Sequence, residues 1–105
     1  MATPHAAPAA VRRALRKLGA DIQDARRRRQ LTMTVVADRA FTTRATLQRV
    51  EKGDPSVGMG IYAGVLHGLG FLDGLAALAD VSVDEHGRLL EAARRPKRIR
   101  LPRQA

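Results

Sequence analysis

FTTRATLQRVEKG, residues 41–53, is the stretch that decides the fold of this chain and suggests what it binds. Leu47 and Val50 are three residues apart, so a helix here would place both on one face, toward a core. The other positions carry arginines, an amide and hydroxyls, with no acid before Glu51. Such groups bind phosphates and base edges in a DNA groove. The stretch therefore predicts a helix with one apolar face and one outward face suited to DNA.

The composition predicts a small all-α protein. A chain of 105 residues is one domain with tails, and 45% hydrophobic residues with only 3% aromatic ones imply a core of Leu, Val, Ile and Ala. There is no cysteine, which excludes disulfides and thiolate metal sites. No apolar run approaches the roughly 18 residues of a membrane helix, and no signal peptide is evident, so we expect a cytoplasmic protein with no membrane partner.

The net charge of +9 lies mainly in the two flanks of the chain. Residues 1–17 carry four bases and no acid, residues 84–105 carry seven bases and three acids, and residues 18–83 carry eight bases and seven acids. Basic flanks on a nearly neutral body favour a polyanionic partner, although charged flanks can also serve solvation alone.

Apolar periodicity predicts five helical segments. The apolar positions that define the first, second and fourth are Val11, Leu15, Leu18, Ile22 and Ala25; Val35, Val36, Ala37 and Ala40; and Ile61, Val65, Leu66 and Leu69. The first covers about 9 to 29, the second follows a cap at Thr32, and the third runs from a cap at Thr43 to Lys52, ended by Gly53. A fourth would begin near Val57 with Ser56 as its cap, and a fifth would cover 72 to 79. We expect a compact five-helix domain at 9–83, a flexible N-terminus at 1–8 and a flexible basic tail at 84–105. A weak helix capped by Asp84 is the alternative within that tail, although Gly87 disfavours it.

Two short helices joined by a turn, the second of them basic on its outer side, describe a helix-turn-helix. From Leu18 to about Asp80 the chain resembles the Xre and Cro/C1-type family, which is lambda-repressor-like in fold. The resemblance rests on DARRRRQLT in the first helix, Val36-Ala37 and Ala40 in the second, and Thr43-Arg44 with Leu47 to Gly53 in the third; it continues through Pro55-Ser56-Val57 and Val65 to Gly70. It implies that Arg26 reaches back to Glu51 in a partly buried pair.

The DNA-contacting residues are predicted from the second and third helices. They are Thr32, Met33, Thr43, Arg44, Ala45, Thr46, Gln48, Arg49 and Lys52. Two positions depart from the family pattern, which commonly has Gln where Met33 stands and Gly-Val where Phe41-Thr42 stand. We expect Phe41 to lie either in the core or at a partner surface.

Enzymatic chemistry is not expected, and neither a cofactor nor a metal is predicted. The histidines His5, His67 and His86 are far apart and lack ligand spacing, and no glycine-rich phosphate loop is present. The glycines at 58, 60, 64, 68, 70 and 74 are interpreted as close-packing positions for helices.

Two classes of function remain. The first is a sequence-specific regulator, a repressor that binds a palindromic operator in double-stranded DNA as a homodimer, joined through Leu72, Leu75, Leu78, Val81 and Val83. The chain is also similar to HipB-type antitoxins, which implies autoregulation of an operon and a HipA-like kinase toxin as partner. The second class is a helical protein-interaction module whose basic flanks are incidental to DNA. The tail bases would contact DNA or a partner; they are Arg94, Arg95, Lys97, Arg98 and Arg100.

Overall fold

The computed structural model describes residues 6–94, and within this range the chain is all-helical with no strand. Six α-helices follow one another, together with a 3-10 turn at Val81–Val83: α1 Ala9–Arg28, α2 Met33–Arg39, α3 Arg44–Glu51, α4 Met59–Leu69, α5 Leu72–Ala76 and α6 Glu85–Arg94. The all-α expectation is confirmed. The described residues form two compact units, 6–75 and 76–94. No helix in the described part of the chain has the length and apolar character needed to cross a bilayer.

The core of the first unit lies between α1, α2, α3 and α4. Both α1 and α2 pack against α3, and α4 packs against α2 and α1. The largest fully buried side chains all come from the predicted apolar faces, and they are Ile22, Val36, Leu47, Val50 and Val65. Aliphatic burial of this kind stabilises by roughly 1.5–3 kcal/mol for each large side chain. The period of the apolar residues thus identified the inward faces correctly.

Some members of the core differ from the expectation. Val11 is exposed because it lies in the first turns of α1, where residues 9–14 are all exposed and extend beyond the core. Val35 is also exposed, on the outer side of α2. Val57 and Tyr62 are buried although the periodicity did not identify them. The Tyr62 hydroxyl can be buried because it donates to the backbone oxygen of Asp54 at 2.8 Å.

The predicted caps of α2 and α3 are confirmed, whereas that of α4 is wrong. The Thr32 hydroxyl accepts from the Val35 amide at 3.2 Å, and Gly53 ends the third helical segment with φ of 74°. The α4 helix begins at Met59 after Gly58, not after Ser56. The Ser56 hydroxyl instead accepts from Nη2 of Arg49 and donates to Oδ1 of Asp54, so its oxygen is engaged away from the amides of α4.

Two glycines let α1 and the end of α3 approach to backbone contact. A Cβ built on Gly19 would lie 2.6 Å from the carbonyl oxygens of Val50 and Glu51, and a Cβ on Gly53 would meet the backbone of Leu15. No other residue type fits at either position without displacing the backbone. Among the glycines interpreted as close-packing positions, Gly64 and Gly68 do pack closely against α2, while a Cβ at Gly58, Gly60, Gly70 or Gly74 would meet open space.

The second unit contains a helix where a flexible tail was expected. The α6 helix forms because Oδ1 of Asp84 accepts from the Gly87 amide at 3.0 Å, and because Glu85 in its first turn and Arg94 in its last turn complement the helix dipole. The described chain accordingly has six helices and not five. The α5 helix ends at Ala76, short of the predicted Ala79. The expectations for residues 1–5 and 95–105 lie outside the described residues.

Candidate nucleic-acid interface

The outer face of α3 presents five of the nine residues predicted to contact DNA. Helical spacing places five exposed residues side by side on this face, and they are Arg44, Ala45, Gln48, Arg49 and Lys52. On the opposite face Leu47 and Val50 are completely buried. Because the buried side fixes the rotation of the helix, the polar face has a defined direction relative to the core. We refer to these five residues as the outer face of α3.

Two threonines cap the N-terminal end of α3. Oγ1 of Thr43 accepts from the Thr46 amide at 3.1 Å and donates to Oγ1 of Thr46 at 3.1 Å. The backbone amides of Arg44 and Ala45 precede the first hydrogen bonds of the helix. Such amides, at the positive end of the helix dipole, are suited to a phosphate oxygen.

Arg49 at the edge of the outer face is held by two polar partners. Its Nε donates to Oδ2 of Asp54 at 2.9 Å, and its Nη2 donates to the Ser56 hydroxyl at 2.8 Å. The hydrogen bond from Arg49, followed by those from the Ser56 hydroxyl and amide, lowers the pKa of Asp54 to about 2. The Arg49 side chain remains half-exposed. Because Asp54 and Ser56 both hold it, the guanidinium has a fixed orientation, and the Asp54 carboxylate compensates part of its charge.

The loop that holds Arg49 is itself anchored to α4. Tyr62 donates its hydroxyl to the Asp54 backbone, and the burial of the phenol, together with the nearby negative charge of Asp54, raises the pKa of Tyr62. The phenol therefore remains a neutral donor at physiological pH. This bond connects the position of Asp54, and through it that of Arg49, to the core of the first unit.

A buried ion pair joins α1 to the end of α3, as the family resemblance implied. Arg26 donates from Nε to Oε2 of Glu51 at 2.7 Å and from Nη2 to Oε1 at 3.1 Å. Its Nη1 donates to the backbone oxygen of Leu31 at 3.2 Å. The hydrogen bond with Glu51 raises the pKa of Arg26. One guanidinium thus ties together α1, the connection to α2 and the C-terminal end of α3.

The residues predicted at the start of α2 have unequal access to a ligand. Thr32 is exposed and caps the helix, whereas Met33 is half-buried and packs against the core. The thioether can offer an apolar contact at its exposed part, but it is not a hydrogen-bonding replacement for an amide side chain.

Phe41 does not join the core. Its side chain is 95% exposed, and its φ of 56° lies in the left-handed region that glycine favours. Both features are unfavourable for an aromatic residue in the isolated chain. Of the two locations expected for Phe41, the core is therefore excluded, and a partner surface stays a prediction.

Within the described residues, the second unit exposes apolar side chains and the predicted tail base Arg94. Among the residues expected at a dimer contact, Leu75 instead packs against the core of the first unit, while three in the second unit are 62–70% exposed: Leu78, Val81 and Val83. Leu89 and Leu90 of α6 are exposed as well. Arg94 is exposed at the end of α6, and the positions Arg95, Lys97, Arg98 and Arg100 lie outside the described residues.

Sequence reasoning missed the residues that position the site. These are Gly19, Asp54, Ser56 and Tyr62. Gly19 contacts the distant Val50 and Glu51, and the other three act through contacts two to eight positions apart that form when the loop after α3 folds. Gly19 alone carried a signal, since a glycine inside a helical pattern often marks close backbone approach. Among residues 6–94 no group of three or more His, Cys, Asp or Glu side chains could hold a metal ion.

A comparison of the chain with known protein families, with curated proteins and with solved structures finds no match.

Proposed function

We propose that this chain is a sequence-specific DNA-binding regulator, a repressor of the helix-turn-helix type, in which α3 enters the major groove. The observation that carries the proposal is the outer face of α3. It combines arginines, an amide and a lysine on one side of a short helix whose other side is buried. Arginine reads guanine and glutamine reads adenine by paired hydrogen bonds in the major groove.

The packing around α3 supports this role because a reading helix must be held rigidly. Arg26 with Glu51 fixes the end of the helix to α1, and the approach of Gly19 to the carbonyl of Val50 leaves no gap between the two helices. The helix is therefore presented in one orientation before any ligand binds, which reduces the entropy lost on binding.

The operator would be a palindrome bound by two copies of the chain. A helix of eight residues makes few base contacts, so useful affinity needs two half-sites about 34–36 Å apart. We place the contact between copies at the exposed apolar residues of the second unit, Leu78, Val81 and Val83. The working location is the cytoplasm, on the nucleoid.

A second candidate function uses the same apolar residues for another protein. Exposed leucines and valines in the second unit would also suit the surface of a HipA-like kinase toxin, with the chain as its antitoxin. In that case the chain would repress its own operon and neutralise the toxin. A helical interaction module without DNA binding is the remaining alternative.

Selection from a pool of random duplexes tests the proposal directly. The full chain should enrich a two-fold symmetric motif with half-site centres about 34–36 Å apart. The matched control is R44A, which should lose the base preference at one position in each half-site and keep the rest of the motif. A pool that shows no enrichment after binding would contradict the proposal and favour the interaction module.

A further inference from the structure

The first half of α1 carries a face of four bases that the proposed reading helix does not use. Arg12, Arg13, Arg16 and Lys17 lie at spacings of one, three and one residue, which places them on one side of the helix. All four are exposed, and residues 9–20 contain no acid. The residues of α1 that pack against the core lie on the opposite side, with Ile22 buried and Leu15 and Leu18 half-buried. We call these four residues the basic face of α1.

This charge is ordered, and it opposes the dipole of its own helix. Solvation of a disordered flank cannot explain it, because the bases lie within a continuous helix from Ala9 to Arg28. The helix dipole disfavours bases in the first turn, which in α1 holds Arg12 and no acid. Of the four bases, Lys17 is paired with Asp21 at 2.5 Å and Arg12 donates to the backbone oxygen of Ala7. Four exposed bases on one side of a helix, with no acid among residues 9–20, fit a surface that binds an anion.

The basic face begins beside the C-terminal end of α3. A Cβ built on Gly53 would lie 2.6 Å from Cα of Arg16, so the two backbones nearly touch at this point. Lys52, the last residue of the outer face of α3, immediately precedes Gly53 and is exposed. Lys52 and Arg16 therefore belong to two stretches of backbone that lie side by side, and both residues are exposed.

The dimensions match a duplex. Eight helical residues at about 1.5 Å each span about 12 Å, which is close to the width of the major groove. If the first residues of α3 read bases, its C-terminal end reaches the phosphate strand that borders the groove. Next to that end the backbone of Arg16 approaches Gly53, and Arg13 lies about one helical turn further along α1.

We propose that the basic face of α1, continued by Lys52, binds the phosphate backbone of duplex DNA beside the groove that α3 enters. The inference rests on the proposed function for the identity of the polyanion and adds a second, sequence-independent contact surface to it. Phosphate contacts position a protein on the duplex and provide salt-dependent affinity, whereas base contacts provide the preference for sequence.

The test compares two double variants that remove the same charge from the same helix. R13Q/R16Q neutralises the basic face, and R27Q/R28Q neutralises two exposed arginines at the other end of α1. Arg29 is left intact because its guanidinium lies 5.1 Å from the ring centre of Phe71. Affinity of the full chain for a mixed-sequence duplex is measured at several salt concentrations. In R13Q/R16Q the slope of log affinity against log salt should flatten by about 1.8, because each phosphate that the variant no longer neutralises contributes about 0.9. In the control R27Q/R28Q the slope should change little.

Thermal unfolding shows whether the variants fold. R13Q/R16Q should melt close to the unsubstituted chain, since both arginines are exposed surface residues. Equal flattening of the slope in both double variants would mean that only the overall charge matters, and an unchanged slope in R13Q/R16Q would mean that the basic face binds no phosphate. Either result overturns the inference.

Two further measurements separate this inference from the proposed function. If selection from random duplexes enriches no motif while R13Q/R16Q still flattens the slope, the reading role of α3 fails and the phosphate surface stands. If the chain binds no duplex, both fail. Polyglutamate serves as the protein-like polyanion: binding to it that exceeds duplex binding and is abolished in R13Q/R16Q would overturn DNA as the ligand in favour of an acidic protein.

Discussion

Arg26 of α1 and Glu51 of α3 form a buried, two-bonded ion pair across 25 positions of sequence. Their side chains are only 10% and 3% exposed. The pair therefore cannot rely on water for solvation, and each partner depends on the other. Since Glu51 is the last residue of α3, the pair also decides where the outer face of that helix points.

Removal of Arg26 should be strongly destabilising. R26M leaves the Glu51 carboxylate buried without its partner, and we expect it to lower the free energy of unfolding by about 3–5 kcal/mol in urea titrations. The double variant R26M/E51L should recover much of this stability, because no charge is then left buried. The surface pair of Lys17 and Asp21 provides the control, and K17M should change stability by less than about 1 kcal/mol. A destabilisation in R26M as small as in K17M would contradict the role assigned to the buried pair.

Gly19 and Gly60 should respond in opposite ways to the same substitution. G19A drives a methyl group against the carbonyl oxygens of Val50 and Glu51, 2.6 Å away, and should destabilise by about 1–3 kcal/mol or more. G60A places its methyl group in open space and should be neutral or stabilise by up to about 1 kcal/mol through helix propensity. Thermal and urea unfolding of the two variants measures both effects. Similar stability of the two would show that α1 and α3 can separate at no cost in free energy.

At position 41, the glycine variant F41G should be more stable than the alanine variant F41A. F41A and F41G both remove an aromatic ring that is 95% exposed, so removal of the ring itself changes little. At a φ of 56° only glycine avoids the clash of Cβ with the backbone, and F41G should be more stable than F41A by about 1 kcal/mol. The difference in urea midpoint between the two variants measures this strain. Equal stability of F41A and F41G would show that the backbone at residue 41 moves out of the left-handed region.

The sequence predicted local features well and distant contacts poorly. The apolar spacing of Leu47 and Val50, and the caps Thr32 and Thr43, depend on neighbours within four residues, so a pattern can reveal them. The misassigned cap at Ser56 has the opposite cause. That hydroxyl accepts from Arg49 and donates to Asp54, and these two hydrogen bonds form only after the loop folds back on α3.

The same division holds for the candidate site. Which residues form the outer face of α3 follows from helical spacing alone, but the attachment of Arg49 to Asp54 does not. The buried partner of Arg26 came from a family resemblance and not from spacing, because nothing local connects residues 26 and 51.

The pKa of Asp54 should depend on Arg49. The hydrogen bond from Arg49 is the main cause that lowers this pKa from 3.8 to about 2, so R49Q should raise it toward 3.8. Because the folded value lies below the unfolded one, the stabilisation from the Asp54 carboxylate is present above pH 3.8 and disappears as the pH falls toward about 2. Carboxyl carbon NMR during an acid titration reports the pKa of Asp54 directly. R44Q removes an arginine from the same helix without touching Asp54 and should leave its titration unchanged; equal shifts in both variants would point to general charge and not to the hydrogen bond.

Three substitutions on the outer face of α3 should separate base reading from phosphate binding. R44A should cost about 1–3 kcal/mol in binding to the selected operator and much less on shuffled duplex, because the variant cannot form the two hydrogen bonds to guanine. R49A should behave in the same direction but less severely, since two donors of Arg49 are already engaged by Asp54 and Ser56. K52A should weaken operator and shuffled duplex alike, as removal of a phosphate-binding base does. Competition titrations with both duplexes at one salt concentration give the ratio of operator affinity to shuffled-duplex affinity for each variant. If R44A weakens binding equally to both duplexes, Arg44 is only a phosphate-binding residue, and Gln48 remains as the candidate for reading bases.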